Sequence, residues 1–148
     1  MLTKTLIALF TRDLTKLKNE IESYRNESNI WITEKAIANS AGNLCLHLIG
    51  NLSAFIGAEL GKTGYVRHRD LEFSFKNVSR KELLEKIDAT IAVVSSALET
   101  VTDEQLNSNY PLLVFTEPMT TEYFLVHLAS HLTYHLGQIN YHRRLLDQ

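Results

Sequence analysis

The sequence predicts an all-α protein built as a four-helix bundle with long connecting loops. The chain has 148 residues but only 6 Gly and 2 Pro, so few residues interrupt regular structure. Four long segments carry apolar residues at three- and four-residue steps, which is the period of an α-helix with one buried face. Two long loops separate them, so the helix order need not be simple up-and-down. We expect residues 1–148 to form a single domain.

The first predicted helix is amphipathic. From Leu2 to Tyr24, apolar residues recur on one face and charged residues occupy much of the rest, over about six turns. Asn26–Asn29 interrupts this pattern. Trp31 and Ile32 are therefore expected in a connection that packs back on the bundle.

The second predicted helix, residues 43–60, is apolar nearly all round. A helix without a polar face lies inside a fold, against several neighbours. Residues 61–78 then form a loop in which charged and aromatic residues are interleaved. A loop of this length inside a compact domain is usually functional or crosses the bundle as a long connection.

The third predicted helix begins with a capping box. Ser79 is the N-cap and Glu82 stands three residues later, so that each side chain can accept a hydrogen bond from the backbone N–H of the other. The helix extends to about Val101. Residues 102–118 form the second loop, which contains both prolines.

Composition excludes several classes of function. With 15 Lys and Arg against 17 Asp and Glu, the net charge of -2 argues against a nucleic-acid partner or a polybasic membrane contact. The first residues lack the cleavage site of a signal peptide, and no stretch reaches the roughly 20 apolar residues of a membrane span. Cys45 is the single cysteine and cannot form an internal disulfide. A reducing cytoplasm is therefore the expected location.

Two predicted helices carry polar residues where the pattern demands apolar ones. The fourth helix has Thr120 or Thr121 as its N-cap and ends near Leu146. A spacing of four residues places polar side chains on one stripe of a helix. Such stripes are Asn43, His47 and Asn51 on the second helix, and His127, His131 and His135 on the fourth. Because a buried imidazole without a partner costs roughly 1–3 kcal/mol, the stripes should satisfy each other or hold an ion.

Histidines at positions i and i+4 of a helix can reach one metal ion. His127 and His135 are about 12 Å apart along the axis at 1.5 Å per residue, so the pair is either 127/131 or 131/135. His47 is the only histidine on the other interior helix and would be the third ligand. Cys45 points away from it. The alternative is that these histidines are hydrogen-bonded core residues, which is the commoner role of an isolated buried histidine.

Motifs that would direct the chemistry are missing. The segment HLTYH lacks the glutamate of the H-E-x-x-H zinc motif, and the helices lack the carboxylates of ferritin-type di-iron sites. Three neutral imidazoles would leave a divalent ion its full charge. Such a site lowers the pKa of bound water towards 7 and holds a bound thiol as thiolate. Zn and Ni both suit imidazole ligands.

The segments Gly42–Leu52 (GNLCLHLIGNL) and His131–Ile139 (HLTYHLGQI) resemble the DinB-like (DinB/YfiT) superfamily of small four-helix bundles. The resemblance covers essentially the whole chain. It implies a divalent metal bound by one histidine of the second helix and two of the fourth, in an H-x-x-x-H-x-G-Q pattern. The corresponding residues here are His47, His131 and His135, followed by Gly137 and Gln138. The segment YVRHRDLEFS looks like a branch without an established function, and Tyr134 stands where many relatives have a further histidine.

Relatives in this superfamily include metal-dependent thiol S-transferases and isomerases, which use low-molecular-weight thiols such as bacillithiol or mycothiol, and hydrolases. The resemblance therefore implies a metal-dependent transferase or hydrolase acting on a small molecule, and a homodimer. Two non-catalytic alternatives stay open. In one, the ion only ties the second and fourth helices together; in the other, apolar helix faces serve dimerisation or another interaction.

Two arginines of the first loop, Arg67 and Arg69, are candidate substrate-binding residues, because a guanidinium can bind a carboxylate or phosphate by paired hydrogen bonds. The competing and favoured interpretation is that they hold the loop through salt bridges with Asp70, Glu72 or Glu59. His127 is expected in the core or beside the ligands. The two remaining histidines, His68 and His142, are interpreted as surface or network residues.

Overall fold

The computed structural model describes residues 1–148 and contains six α-helices and no β-strand. The helices are α1 (Leu2–Ser23), α2 (Ala41–Leu52), α3 (Arg69–Ser74), α4 (Arg80–Glu99), α5 (Asp103–Asn107) and α6 (Thr121–Leu146). A 3-10 helix, Glu27–Trp31, follows α1, and a π-helix, Ser53–Ala58, continues α2 without a break. The all-α class is thus confirmed.

The four longer helices, together with the π-helix that continues α2, account for most of the segments that the sequence predicts as helical. Helix α1 packs against α4 and α6, and α2 packs against the same two helices. Their facing side chains form one cluster of 29 buried hydrophobic residues, with Leu14, Leu17, Leu48 and Leu52 fully buried. The periodic apolar residues therefore serve as the core, as their spacing predicts.

Helix α2 is the most deeply buried element. All twelve of its residues are buried, and its N-cap Ser40 accepts a hydrogen bond from the Asn43 N–H. The segment Ala41–Ala58 is apolar enough and long enough to pass as a membrane span by composition, which qualifies the expectation that no stretch approaches one. However, 78% of that segment is buried inside the protein, as in the core helix of a soluble domain.

The π-helix stands where the sequence predicts ordinary α-helix. Its wider turns leave backbone carbonyls without their usual partner four residues on, and Tyr110 supplies one substitute by donating its hydroxyl hydrogen to the Phe55 carbonyl at 2.6 Å. Desolvation raises the pKa of Tyr110, so the hydroxyl stays protonated. Short π-helical segments are frequent near functional sites, and this one begins six residues after His47.

Both predicted loops contain a short helix that the sequence does not reveal. Helix α3 lies in the first loop and packs against α2, while α5 lies in the second and packs against α6. Thr102 and Gln105 at the start of α5 form a complete capping box. The box predicted at Ser79 is only half formed, because Ser79 accepts from the Glu82 N–H but Glu82 lies near Lys86 instead of returning the bond.

The end of α6 is fastened to the rest of the fold by His142. Tyr24 donates its hydroxyl hydrogen to His142 Nδ1 at 2.6 Å, and His142 Nε2 donates to the Ile32 carbonyl at 2.8 Å. Because a carbonyl only accepts, the hydrogen of the neutral ring lies on Nε2. Burial lowers the pKa of His142 and keeps the ring neutral. This histidine is a buried network residue.

Candidate metal centre

Three histidine rings from two helices converge at the α2–α6 contact. His47 Nε2 lies 3.3 Å from His131 Nε2, which lies 3.2 Å from His135 Nε2. One ring nitrogen from each residue lies within 4.8 Å of the other two. Helix periodicity explains the pairing on α6, because His131 and His135 are one turn apart and share a face. Of the two pairs left open by spacing, the structure brings 131/135 to His47.

The spacing of these nitrogens fits a divalent metal ion. Imidazole nitrogens bound to one tetrahedral ion at 2.0–2.1 Å are about 3.3 Å apart from each other. His47 and His135 each use the opposite nitrogen for another partner, Glu72 and Gln138 respectively, and those partners accept hydrogen bonds through oxygen. We therefore assign the ring hydrogens of both residues to Nδ1, which leaves two Nε2 lone pairs directed at His131. A cation would stabilise this concentration of lone pairs.

The surroundings of His131 and His135 favour the neutral form of both rings. Burial, together with the neighbouring His135 and His47, lowers the pKa of His131 to about 4. Burial also lowers the pKa of His135, although the hydrogen bond with Gln138 opposes this. Neutral imidazole is the form that binds a metal, so no proton has to leave these two rings at neutral pH before they can act as ligands.

Glu72 on α3 supports His47. Its Oε1 accepts a hydrogen bond from His47 Nδ1 at 3.0 Å. Arg67 donates to both carboxylate oxygens at 2.9 Å, from Nε to Oε2 and from Nη2 to Oε1. Desolvation raises the pKa of Glu72, but hydrogen bonds from His47 and Arg67 and the arginine charge outweigh it, so the pKa is lowered. Glu72 thus remains a carboxylate and fixes the tautomer and orientation of His47.

A glycine makes room for this carboxylate. A Cβ atom on Gly50 would lie 1.9 Å from Glu72 Oε2 and 2.6 Å from Glu72 Cδ, far inside van der Waals contact. Gly50 is buried near the end of α2, inside the helical segment that the π-helix continues, and glycine inside a helix costs roughly 0.5–1 kcal/mol relative to alanine. The missing side chain is therefore explained by the close approach of Glu72.

Asn43 attaches α3 to α2. Its amide Nδ2 donates to the carbonyls of Glu72 and Phe75, at 2.9 and 2.8 Å, and its Oδ1 accepts from Lys76 at 2.7 Å. Asn43, the first residue of the α2 polar stripe, therefore holds the end of α3 against α2. It is the second member, His47, that belongs to the cluster.

Two buried polar atoms near the cluster have no partner within the protein. They are His131 Nδ1 and Asn51 Oδ1. Asn51 is the third member of the α2 stripe, one turn beyond His47. When His131 uses Nε2 for a cation, its ring hydrogen lies on Nδ1, so the Nε2 lone pair is free for the ion. The donor set and its surroundings are therefore compatible with a bound ion.

His127 lies outside the group of three. Its ring stacks on Phe124 with centroids 5.9 Å apart and meets the edge of Phe115 at 5.1 Å. It also stacks on the outer side of His131, at 6.2 Å. Its place among aromatic rings agrees with the interpretation that it stands beside the ligands.

The two candidate arginines have different environments. Arg67 forms a salt bridge with Glu72, one of the three partners that the sequence offers. Its guanidinium also lies over the Phe55 ring, 5.6 Å from the ring centroid. Arg69 is exposed and lies over the Phe73 ring at 5.3 Å. Arg67 therefore holds the loop to the cluster.

The sequence does not predict that Glu72 is the hydrogen-bond partner of His47. It lies in a stretch read as loop, where nothing in the pattern distinguishes it from Asp70 or Glu59. One signal was present in Gly50, three residues after His47 on an otherwise apolar helix. A glycine inside a helix often marks a close approach by another group.

Comparisons with known proteins give a family and a fold. No curated protein matches this sequence. The fold is similar to the crystal structure of a conserved protein from Enterococcus faecalis, with a TM-score of 0.78 and 19% sequence identity over 97% of this chain and 96% of that one. At this identity, the likeness shows a shared fold alone. A family described as "Protein of unknown function (DUF1572)" matches residues 3–148, and the chain therefore belongs to that family.

Proposed function

We propose that this protein binds a divalent metal ion through His47, His131 and His135 and uses it in catalysis on a small molecule. The observation that carries the proposal is the convergence of three ring nitrogens within 4.8 Å of one another. No carboxylate or thiolate is a member of this group, so a bound ion would retain its full positive charge.

The wider arrangement supports a DinB-like four-helix bundle. Helices α1, α2, α4 and α6 pack in pairs around one core, and the proposed ligands come from the second and fourth of the long helices, as in that superfamily. The superfamily also suggests a homodimer. The free thiol of Cys45 supports a cytoplasmic location.

The residues around the cluster would prepare it for an ion and a substrate. Glu72 holds the hydrogen of His47 on Nδ1, and Gln138 does the same for His135 through a bond of 2.7 Å. Both arrangements leave Nε2 free to bind. Zn or Ni in such a site would activate water for hydrolysis, or hold the thiolate of a low-molecular-weight thiol for group transfer.

The cheapest decisive measurement is the metal content of the tag-free protein and of three matched variants. We expect about one equivalent of divalent metal in the wild-type protein. His47→Ala and His131→Ala should abolish stoichiometric binding, because two nitrogens hold an ion poorly. His127→Ala is the control, since it removes a neighbouring ring outside the group. Equal loss from all three variants would show that the ligands are assigned wrongly.

Turnover separates catalysis from a structural ion. We expect the metal-loaded protein to act on thiol-plus-electrophile pairs or on simple esters and amides, and His131→Ala to lose that activity. Because His47 and His131 lie on different helices, an ion between them could also act as a tie between α2 and α6. If no substrate of either class is turned over while chelation lowers the melting temperature, the structural role is the correct one.

A further inference from the structure

A cavity of about 480 Å³ is lined by His135, one of the three histidines of the cluster. One wall is the α6 stretch that contains His135 and Gln138. The opposite wall is formed by residues 36–39, which follow α1 and the 3-10 helix, together with Leu44 of α2. The volume falls in the range of about 300–1,000 Å³ that small-molecule sites occupy. His135 thus belongs both to the candidate metal centre and to this cavity.

The walls of the cavity contain no carboxylate, ammonium or guanidinium group. Most are apolar, and the polar ones are Asn39, His135, Gln138 and His142. Both ring nitrogens of His142 are already used by Tyr24 and Ile32, and His135 Nδ1 is used by Gln138. Four uncharged groups have no hydrogen bond within the protein, namely the Asn39 side chain, the Gln138 amide nitrogen and the hydroxyls of Tyr134 and Tyr141.

The rim of the cavity exposes apolar surface that the fold itself does not need. Tyr134, Tyr141 and Leu145 line it, and each is 59–66% exposed. They lie at steps of seven and four residues on one side of α6, so they form a strip beside the opening. Aromatic rings in this position offer contact area to the body of a ligand at low cost in side-chain entropy.

We propose that this cavity binds the uncharged, aromatic or aliphatic body of the substrate whose reacting group lies at the three histidines. The reacting end of this inference rests on the proposed function, whereas the binding of the body rests on the cavity alone. A carboxylate or phosphate placed here would lose its water and gain no opposite charge. We therefore expect the cavity to bind an uncharged electrophile or ester and to exclude a thiol that carries a carboxylate.

The first test uses the uncharged dye Nile red and the metal-free protein. We expect saturable binding with one equivalent and a blue-shifted emission. Ile37→Asp places a charge in the wall and should weaken binding at least tenfold. Tyr141→Ala removes an exposed rim ring without touching the core and should weaken it severalfold. Leu113→Asp is the control, because it makes the same change at an exposed residue outside the cavity.

The second test asks whether the cavity and the metal centre act together. Benzohydroxamate and acetohydroxamate carry the same metal-binding group, and only the first has an aromatic body. In the zinc-loaded protein, we expect benzohydroxamate to bind at least tenfold more tightly. Ile37→Asp should remove most of that advantage while leaving acetohydroxamate affinity and metal content unchanged.

The outcomes distinguish this inference from the proposed function. Absence of stoichiometric metal would refute the proposed function, and the dye experiment would still decide whether the cavity binds an uncharged body. The inference is overturned if Nile red binds without saturation, or equally to wild type and both cavity variants. It is also overturned if the wild-type protein is a dimer that excludes the dye and Ile37→Asp makes it monomeric, since the strip would then be a contact between two copies.

Discussion

Gly50→Ala probes the support of His47 without altering a ligand. The new methyl group would lie 1.9 Å from Glu72 Oε2, so the carboxylate must leave its place between His47 and Arg67. Breaking a buried, hydrogen-bonded ion pair costs about 3–5 kcal/mol. Alanine in a helix recovers about 1 kcal/mol relative to glycine. The metal-free protein should therefore lose about 2–4 kcal/mol of unfolding free energy.

The same change should weaken metal binding. Removing the partner that orients a ligating histidine typically reduces metal affinity by about 10–100-fold. The assays are urea unfolding of the metal-free protein and competition for zinc against a chelating dye. Because the half-buried Arg67 would stay beside His47 after Glu72 moves, part of the effect on affinity would come from this unpaired positive charge.

Gly137→Ala is the matched control for this experiment. Gly137 also lies inside a helix, two residues after His135, but a Cβ atom there would have no heavy atom within 4 Å. The substitution should raise the unfolding free energy by about 0.5–1 kcal/mol. If Gly50→Ala were as stabilising as Gly137→Ala and left zinc affinity unchanged, Glu72 would not be held as described, and its role as the support of His47 would be refuted.

Two further predictions concern an ionised group and the thiol. Desolvation raises the pKa of Asp147, but hydrogen bonds from the Arg25 N–H, the Asn29 amide and the Asn26 N–H outweigh it and lower the pKa below 3.8. This stabilisation is therefore complete above about pH 5 and is lost as pH falls through the lowered pKa. Asp147→Asn should cost about 1 kcal/mol at pH 7 and progressively less at acid pH, measured by urea unfolding; a pH-independent gap would contradict this. Cys45 is fully buried, and desolvation raises the pKa of its thiol to about 12. The native protein should therefore not react with Ellman's reagent at pH 8, whereas the protein in denaturant should react with one equivalent of the reagent. Prompt reaction of the native protein would contradict the burial of Cys45.

The parts of the fold that the sequence predicts are those governed by helical periodicity. The bounds of α6 follow from Thr120 as N-cap, and the burial of Phe10, Leu14 and Leu17 follows from their spacing on α1. The convergence of His131 and His135 follows from the same rule. These features depend on residues within one or two turns of each other, where the sequence alone carries enough information.

The features that were missed depend on contacts between distant segments. A six-residue helix such as α3 is marginal in isolation, so its formation rests on Asn43 and on packing against α2. Glu72 becomes a partner of His47 only after α3 has docked, and Gly50 alone hinted at it. The capping box at Ser79 lacks its second half, the bond from the Ser79 N–H to Glu82. The next N–H along the chain, that of Arg80, donates to Glu27, a contact between distant segments that the local pattern does not show.

The π-helix after α2 has a consequence for how the protein tolerates insertions and deletions. Each helical residue turns the chain by about 100°, so deleting one residue from Ser53–Ala58 to restore ordinary α-helix would rotate everything that follows by roughly that angle. The segment that brings Arg67 back over Phe55 would then leave the helix on a different side. A single codon lost here would disconnect the arginine from its carboxylate while leaving all three histidines in the sequence.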